Sequence, residues 1–298
     1  MKPIRILLPL VLCLALALGL ASAETAVGVS VTDMMGRTVE LDAPATRVVA
    51  LTAADCEIVC ALGGEDVLVG RGEYCDWPAS ILSIPSVQSG SETDIEAIIA
   101  LEPQLVVMAS MAQSAEQVQM LEEAGIRVAV SEAADIEGVY TSIRLIGALI
   151  GRDAEAEALV AQMQDTFAAI AAEAGDSGKT VYFEVSPLQW GLWTAGSGTF
   201  MDELATLCGL TNIFADAVGW AEIDQEQVIA RNPDLIVTIT MYFGEGPTPA
   251  EEIASRTGWE TVTAVRDGAI LNADSNELSR PGPRLMDAAQ TLFEFANR

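Results

Sequence analysis

No histidine occurs among the 298 residues. Ser-His-Asp and Cys-His catalysis are therefore excluded, and so is the commonest side-chain ligand of zinc, copper and manganese. Positive charge is scarce as well: 15 Lys and Arg stand against 43 Asp and Glu, a net of −28. A surface this acidic repels phosphate backbones and anionic headgroups, which argues against nucleic acid and peripheral membrane binding and favours partners with basic surfaces. Aromatic residues make up only 5% of the chain, so where they gather is informative. What the chain has in quantity is apolar residues, 51%, enough for a large core and incompatible with disorder.

Lys2 and Arg5 precede an apolar run, Ile6 to Leu20, that closes on Ala21-Ser22-Ala23. A basic start, a short apolar stretch and a small-x-small end predict an export signal cleaved after Ala23. The run is shorter than the ~20 residues a membrane span needs. Cys13 follows the bulky Leu12 and lies inside the run, which disfavours lipidation there. Residues 1–23 are read as signal, and the exported remainder as periplasmic or otherwise extracytoplasmic with no membrane span. Beyond the signal stand Cys56, Cys60, Cys75 and Cys208, which allow three pairings. A Cys60–Cys75 bond, tying a helix to a loop, is the favoured expectation. The cysteine spacing matches no common zinc or iron–sulfur pattern.

Strand-like and helix-like runs alternate. Val27–Leu41 reads as a hairpin turning at Met35-Gly36-Arg37. Strands follow at 47–51, 67–70, 104–108 and 127–130, with helices at 52–62, 93–101, 115–124 and 136–150. Such alternation predicts an α/β fold with parallel sheets covered on both faces. Residues 153–174 form one long helical run that would extend about 33 Å at ~1.5 Å per residue. A second series follows, with strands at 180–185 and 235–240 and helices at 200–208, 225–231 and 283–296. The expected organisation is an N-terminal lobe, 24–152, a linking helix, 153–174, and a C-terminal lobe, 175–298.

The two halves echo each other. Asp94 to Val107 aligns without gaps on Asp224 to Val237, with seven of fourteen positions identical. Glu96 and Glu226 hold the same place in each copy, in the first turn of a helix. The helix dipole alone favours acids there, by roughly 0.3–1 kcal/mol. Two matched lobes presenting one acid each to a two-fold partner is the functional alternative.

Several segments occur in an order that resembles the periplasmic binding proteins that capture iron–siderophores, haem and vitamin B12. They are Arg47-Val-Val-Ala-Leu51, Ala61-Leu-Gly63, Tyr74-Cys-Asp-Trp-Pro78, Ile98 to Val107, Ala195-Gly-Ser-Gly-Thr-Phe200, Gln227 to Asp234, Arg256-Thr-Gly-Trp-Glu260 and Leu278-Ser-Arg-Pro-Gly-Pro-Arg284. The resemblance implies two Rossmann-like lobes joined by one long helix, a ligand in the cleft between them, and little closure on binding. It implies a monomer that delivers its ligand to an ABC permease dimer with its ATPase. Glu96 and Glu226 fall where the family pairs one glutamate per lobe with permease arginines, a contact that sets register and encounter rate.

The same resemblance assigns the ligand site. Tyr74, Asp76 and Trp77 match a ligand-facing loop of the N-lobe. Trp190, Trp193 and Trp220 match aromatic positions of the C-lobe, and Asn276 and Arg280 match the stretch facing the ligand edge. Ala109 stands where some vitamin B12 binders have tryptophan. On residue chemistry alone, flat macrocycles bury large areas on indole faces, whereas Trp259, beside a glycine, reads as packing. Asp76 is equally suited to shaping the turn before Trp77-Pro78. An anionic siderophore needs several arginines, and only 13 basic residues remain once Lys2 and Arg5 are set aside. A near-neutral corrinoid is therefore ranked above a ferric siderophore or haem, with no cofactor of the protein's own and no bound metal. A remote alternative is an α/β enzyme that cradles phosphate on Ala195–Phe200; that loop lacks the P-loop lysine, and Ser197 has no histidine to activate it.

Overall fold

A computed structural model describes residues 28–90, 92–109 and 114–298. The expected signal segment, residues 1–23, and its cleavage after Ala23 lie outside the described residues.

Alternation of buried apolar runs with capped helices builds two parallel sheets. After the hairpin β1 (Val29–Thr32) and β2 (Thr38–Leu41), the N-lobe contains β3 (Val48–Ala50), α1 (Ala53–Ala61), β4 (Leu68–Gly72), β5 (Ser86–Val87), α2 (Ile95–Ala100), β6 (Leu105–Met108), α3 (Ala115–Glu123), β7 (Arg127–Val130) and α4 (Ile136–Ile150). Its five strands lie in the order β5-β4-β3-β6-β7, all parallel. Sequence order reverses between β3 and β6, and parallel α/β sheets bind ligands at that reversal, beyond the strands' carboxyl ends.

α5 (Asp153–Ala174) connects the halves. One stripe, Ala156, Val160, Met163, Phe167 and Ile170, is buried at three- and four-residue spacing, so the helix lies against both lobes along one face. It packs on α4 of the first lobe and on α6 (Phe200–Leu207) and α11 (Leu285–Ala296) of the second. Gly147 makes the α4 contact possible: a Cβ there would sit 2.6 Å from that of Ala156.

The C-lobe continues with β8 (Lys179–Glu184), β9 (Leu192–Ala195), β10 (Leu210–Asn212), β11 (Trp220–Ile223), α7 (Gln225–Arg231), β12 (Leu235–Thr238), α8 (Pro249–Ser255), α9 (Thr263–Arg266), β13 (Ile270–Asn272) and α10 (Ser275–Leu278). Its main sheet runs β10-β8-β12-β13, again parallel. β9 and β11 pair separately as an antiparallel ribbon, an element the sequence pattern does not predict. Trp259 is fully buried and donates to Gln225 Oε1 at 3.1 Å, the packing role expected of it.

Two seams join the lobes beside the space between them. In the first, Glu57 on α1 receives Arg280 Nη1 at 2.8 Å, Arg284 Nη2 at 2.7 Å and Arg284 Nε at 3.0 Å. Arg280 also reaches Asp76 Oδ1 at 2.7 Å and the Tyr74 carbonyl at 3.3 Å. In the second, the Phe200 amide donates to the Ala134 carbonyl at 2.9 Å, and the Ile136 amide donates to Glu203 Oε2 at 2.7 Å. Glu57 is only 4% exposed, so its removal takes the carboxylate from the largely buried Arg284 guanidinium and leaves Arg280 with Asp76 alone. Glu57→Ala is expected to lower the unfolding free energy by about 3 kcal/mol, read by urea denaturation. A loss below about 0.5 kcal/mol would place this seam with ordinary surface ion pairs.

Candidate functional site

A cavity of about 470 Å³ opens between the lobes. Its N-lobe wall is the strand-to-helix turn after β3, Thr52 to Asp55, together with Ala109 after β6 and Ser131 to Ala134 after β7. The first two segments follow β3 and β6, the strands flanking the reversal of order, and the third follows β7 beside β6. The C-lobe contributes Phe200, Trp220 and Ser279-Arg280-Pro281. Most wall residues are small, leaving a broad slot, and the aromatic surface comes from one side.

The β9–β11 ribbon positions that aromatic surface. Trp220 pairs with Ala195, and Glu222 with Trp193, which puts Trp193 and Trp220 diagonally on one face. Gly196 holds the ribbon's base, since a Cβ there would come within 2.4 Å of the Ala217 carbonyl. The Phe200 and Trp220 rings meet edge to face at 5.6 Å between centroids. Trp190 lies in a 3-10 turn just before β9 and is 77% exposed, and neither it nor Trp193 lines the cavity.

The remaining expected site residues divide. Arg280 lines the cavity, but its guanidinium is already engaged by Glu57 and Asp76. Asp76 therefore acts on the seam, and Tyr74 stands exposed on the same loop. Trp77 is not brought to the cavity. It borders a separate depression of about 190 Å³ with Glu57, Cys60 and Pro283, and the Arg284 guanidinium lies 5.0 Å from its ring centre. Asn276 sits in the first turn of α10, where its amide bonds the Asp274 cap at 2.8 Å, and it does not line the cavity. Glu96 and Glu226 are exposed in the first turns of α2 and α7, and neither carboxylate forms an ion pair among the described residues.

The expected Cys60–Cys75 disulfide is not formed: Cys56, Cys60, Cys75 and Cys208 all carry free thiols. The loop after β4 leaves the sheet's carboxyl edge beside the start of α1, so Cys75 meets Cys56 rather than Cys60, one turn farther along. Both Cys56 and Cys75 thiols donate to the Ala50 carbonyl, at 3.6 and 3.8 Å. Burial pushes the Cys60 and Cys208 thiols up to about 12, which keeps them protonated and unreactive. No cluster of His, Cys, Asp or Glu among the described residues is arranged to hold a metal ion. The Ala195–Phe200 loop has two of its amides committed within the protein. Its Gly196 and Ser197 amides are spent on the Gly219 and Ala217 carbonyls, each at 2.8 Å.

Besides Glu57, sequence reasoning passed over two features. One is the run Met241-Tyr242-Phe243 after β12, exposed beside Leu188 and Gln189 along a groove of about 370 Å³; an apolar triplet interrupting a polar turn was its signal. The other is Asp55, 1% exposed in the cavity wall. Burial raises its carboxyl to about 6, against the opposing pull of the Thr52 and Ser131 hydroxyls. Such a group stabilises the fold most when protonated, and that contribution is lost as pH rises from below 3.8 through about 6. Asp55→Asn is therefore expected to match the parent protein's stability near pH 4 and exceed it by about 3 kcal/mol near pH 7.5. Chemical denaturation at both pH values checks this, and a difference that does not change with pH would contradict it.

The described residues contain no helix long and apolar enough to cross a membrane. Residues 48–277 match the family of periplasmic binding proteins. An uncharacterized ABC transporter substrate-binding lipoprotein of Bacillus subtilis is 31% identical over 273 residues, 89% of this chain and 84% of that one. The vitamin B12-binding protein of Salmonella typhimurium is 30% identical over 252 residues, 83% of this chain and 89% of that one. Among solved structures, the periplasmic haem-binding protein HutB of Vibrio cholerae superposes with a TM-score of 0.78 at 22% identity, covering 85% of this chain and 99% of that one. These relatives are solute-binding proteins rather than enzymes. Two parallel-sheet lobes, an open slot at their strand ends and a family match across most of the chain lead to one conclusion: the protein belongs to the periplasmic binding proteins, the substrate-binding components of ABC importers.

Proposed function

We propose that the chain is exported, captures a corrinoid in the slot between its lobes and delivers it to an ABC permease dimer. The observation that carries this reading is the character of the slot wall. It offers an indole and a phenyl ring, a row of small residues, and one arginine whose charge is already neutralised. Apolar rings grip a flat macrocycle, and anionic chelates need free guanidinium groups that this wall does not present. The similarity to a vitamin B12-binding protein supports the same choice. A ferric siderophore or haem, held in the same slot, is the second reading, and the similarity in fold to a haem-binding protein favours it.

Trp220 forms part of the wall and remains 42% exposed, so a bound macrocycle covers it. Titration with cyanocobalamin is expected to quench tryptophan fluorescence saturably without turnover. Trp220→Ala is expected to weaken binding by about 1.5–3 kcal/mol, measured by calorimetry. Saturation by haem or a ferric siderophore, with cyanocobalamin inert, would overturn the corrinoid assignment.

The repeat gives the delivery step its geometry. Glu96 and Glu226 are exposed at equivalent places on α2 and α7, one on each lobe. Rim charges of this kind govern docking register and encounter rate. A Glu96→Ala, Glu226→Ala double variant is expected to keep full ligand affinity while uptake through the reconstituted importer falls severalfold. Undiminished uptake would remove these residues from the docking surface.

A further inference from the structure

We infer that Asp55 is a specificity-determining residue of the slot, selecting chelates whose buried edge carries amide groups and rejecting those whose edge carries carboxylates. This rests on the corrinoid reading for its probe, though not for its electrostatics.

Helix capping does not account for Asp55. It occupies the third position of α1, and its amide donates to the Thr52 hydroxyl at 3.1 Å, as in an ordinary cap. Three other helices of this chain show what capping alone requires. Ser114 with Gln117, Asp224 with Gln227 and Thr248 with Glu251 form complete capping boxes, with the third residue reaching back to the cap's backbone amide. All three boxes lie in exposed surroundings. Asp55 instead turns to the Thr52 hydroxyl, at 2.6 Å, and is buried in the wall of the cavity between the lobes. A glutamine or asparagine would cap equally well without burying an acid. The carboxyl's rise to about 6 measures how poorly this place suits a charge in the empty protein.

The position suits a charge that meets the right ligand. A carboxylate has about four acceptor sites, and the Thr52 and Ser131 hydroxyls use two. An amide NH2 on a ligand can fill what is left. The wall's other ionisable groups are Glu132 and Arg280. Arg280 is bound by Glu57 and Asp76, so no cation of the wall is available to offset a ligand carboxylate. A ligand acid would meet Asp55 as a like charge away from bulk water, which is strongly unfavourable. The corrin ring, edged with acetamide and propionamide groups, satisfies this rule. Haem propionates and carboxylate siderophores violate it.

The test compares paired ligands at about pH 8, where Asp55 is ionised. One pair is cyanocobalamin and the same molecule with one ring amide hydrolysed to the acid. The other is a neutral ferric trihydroxamate and an anionic ferric tricarboxylate. The parent protein is expected to favour the uncharged member of whichever pair it binds by about tenfold or more. Asp55→Asn is expected to reduce that ratio below about threefold, mainly by improving the acid's affinity. Equal affinities in the parent protein, a preference for the anionic member, or a ratio that survives in Asp55→Asn would each overturn the inference. Should the hydroxamate pair show the effect while neither cobalamin binds, the corrinoid reading falls and the role of Asp55 stands. Binding of cobalamin without discrimination gives the reverse. Binding of neither pair removes both. The parent protein's ratio decides the matter even if the variant fails to fold.

Discussion

One carboxylate fixes the relation of the two lobes. Glu57 is buried on the first helix of the N-lobe and is satisfied only by arginines from the far end of the chain, Arg280 and Arg284. A lone buried charge is among the costliest things a fold can contain, so the lobes are constrained to bring those arginines to it. With the long helix α5 on one side and this seam on the other, the separation of the two sheets is set, and so is the width of the slot between their strand ends. The second seam, at Phe200 and Glu203, closes the opposite flank of the slot.

The regular elements were legible because their signals are local. Asp135 caps α4 through the Gly138 amide, and Gly151, at φ 69°, ends it, so both bounds could be read from residue types alone. The same holds for α7, capped by Asp224 and ended by Asn232 at φ 46°, while α2 shares only the Asp cap and α5 only a closing glycine, Gly175. The β9–β11 ribbon was not legible. Its strands are four residues each, too short to show a period, and they pair with each other across a helix and another strand.

The site was legible in part, and the reason is the same. Trp220 could be proposed because it matches an aromatic position of the resembled family and falls at an expected loop. Asp55 and Glu57 could not, because α1 is buried along most of its length and acids inside an apolar helix show no role until their partners are known. Arg280 was expected to be a ligand group because it matches the family's ligand-edge stretch; only the positions of Glu57 and Asp76 show that its charge is committed. Trp77 lay in the right loop, yet that loop turns its indole toward Arg284 instead of the slot. Sequence spacing could show neither that Cys56 rather than Cys60 lies beside Cys75 nor that all four thiols are free.

Arg280 belongs at once to the slot wall and to the bond network that ties the lobes. It is one of several ties between the lobes, beside Arg284 and the second seam, and the one that also faces the open space. A solute group that competed for that guanidinium would weaken one tie between the halves, so what fills the slot bears on how firmly its walls are joined.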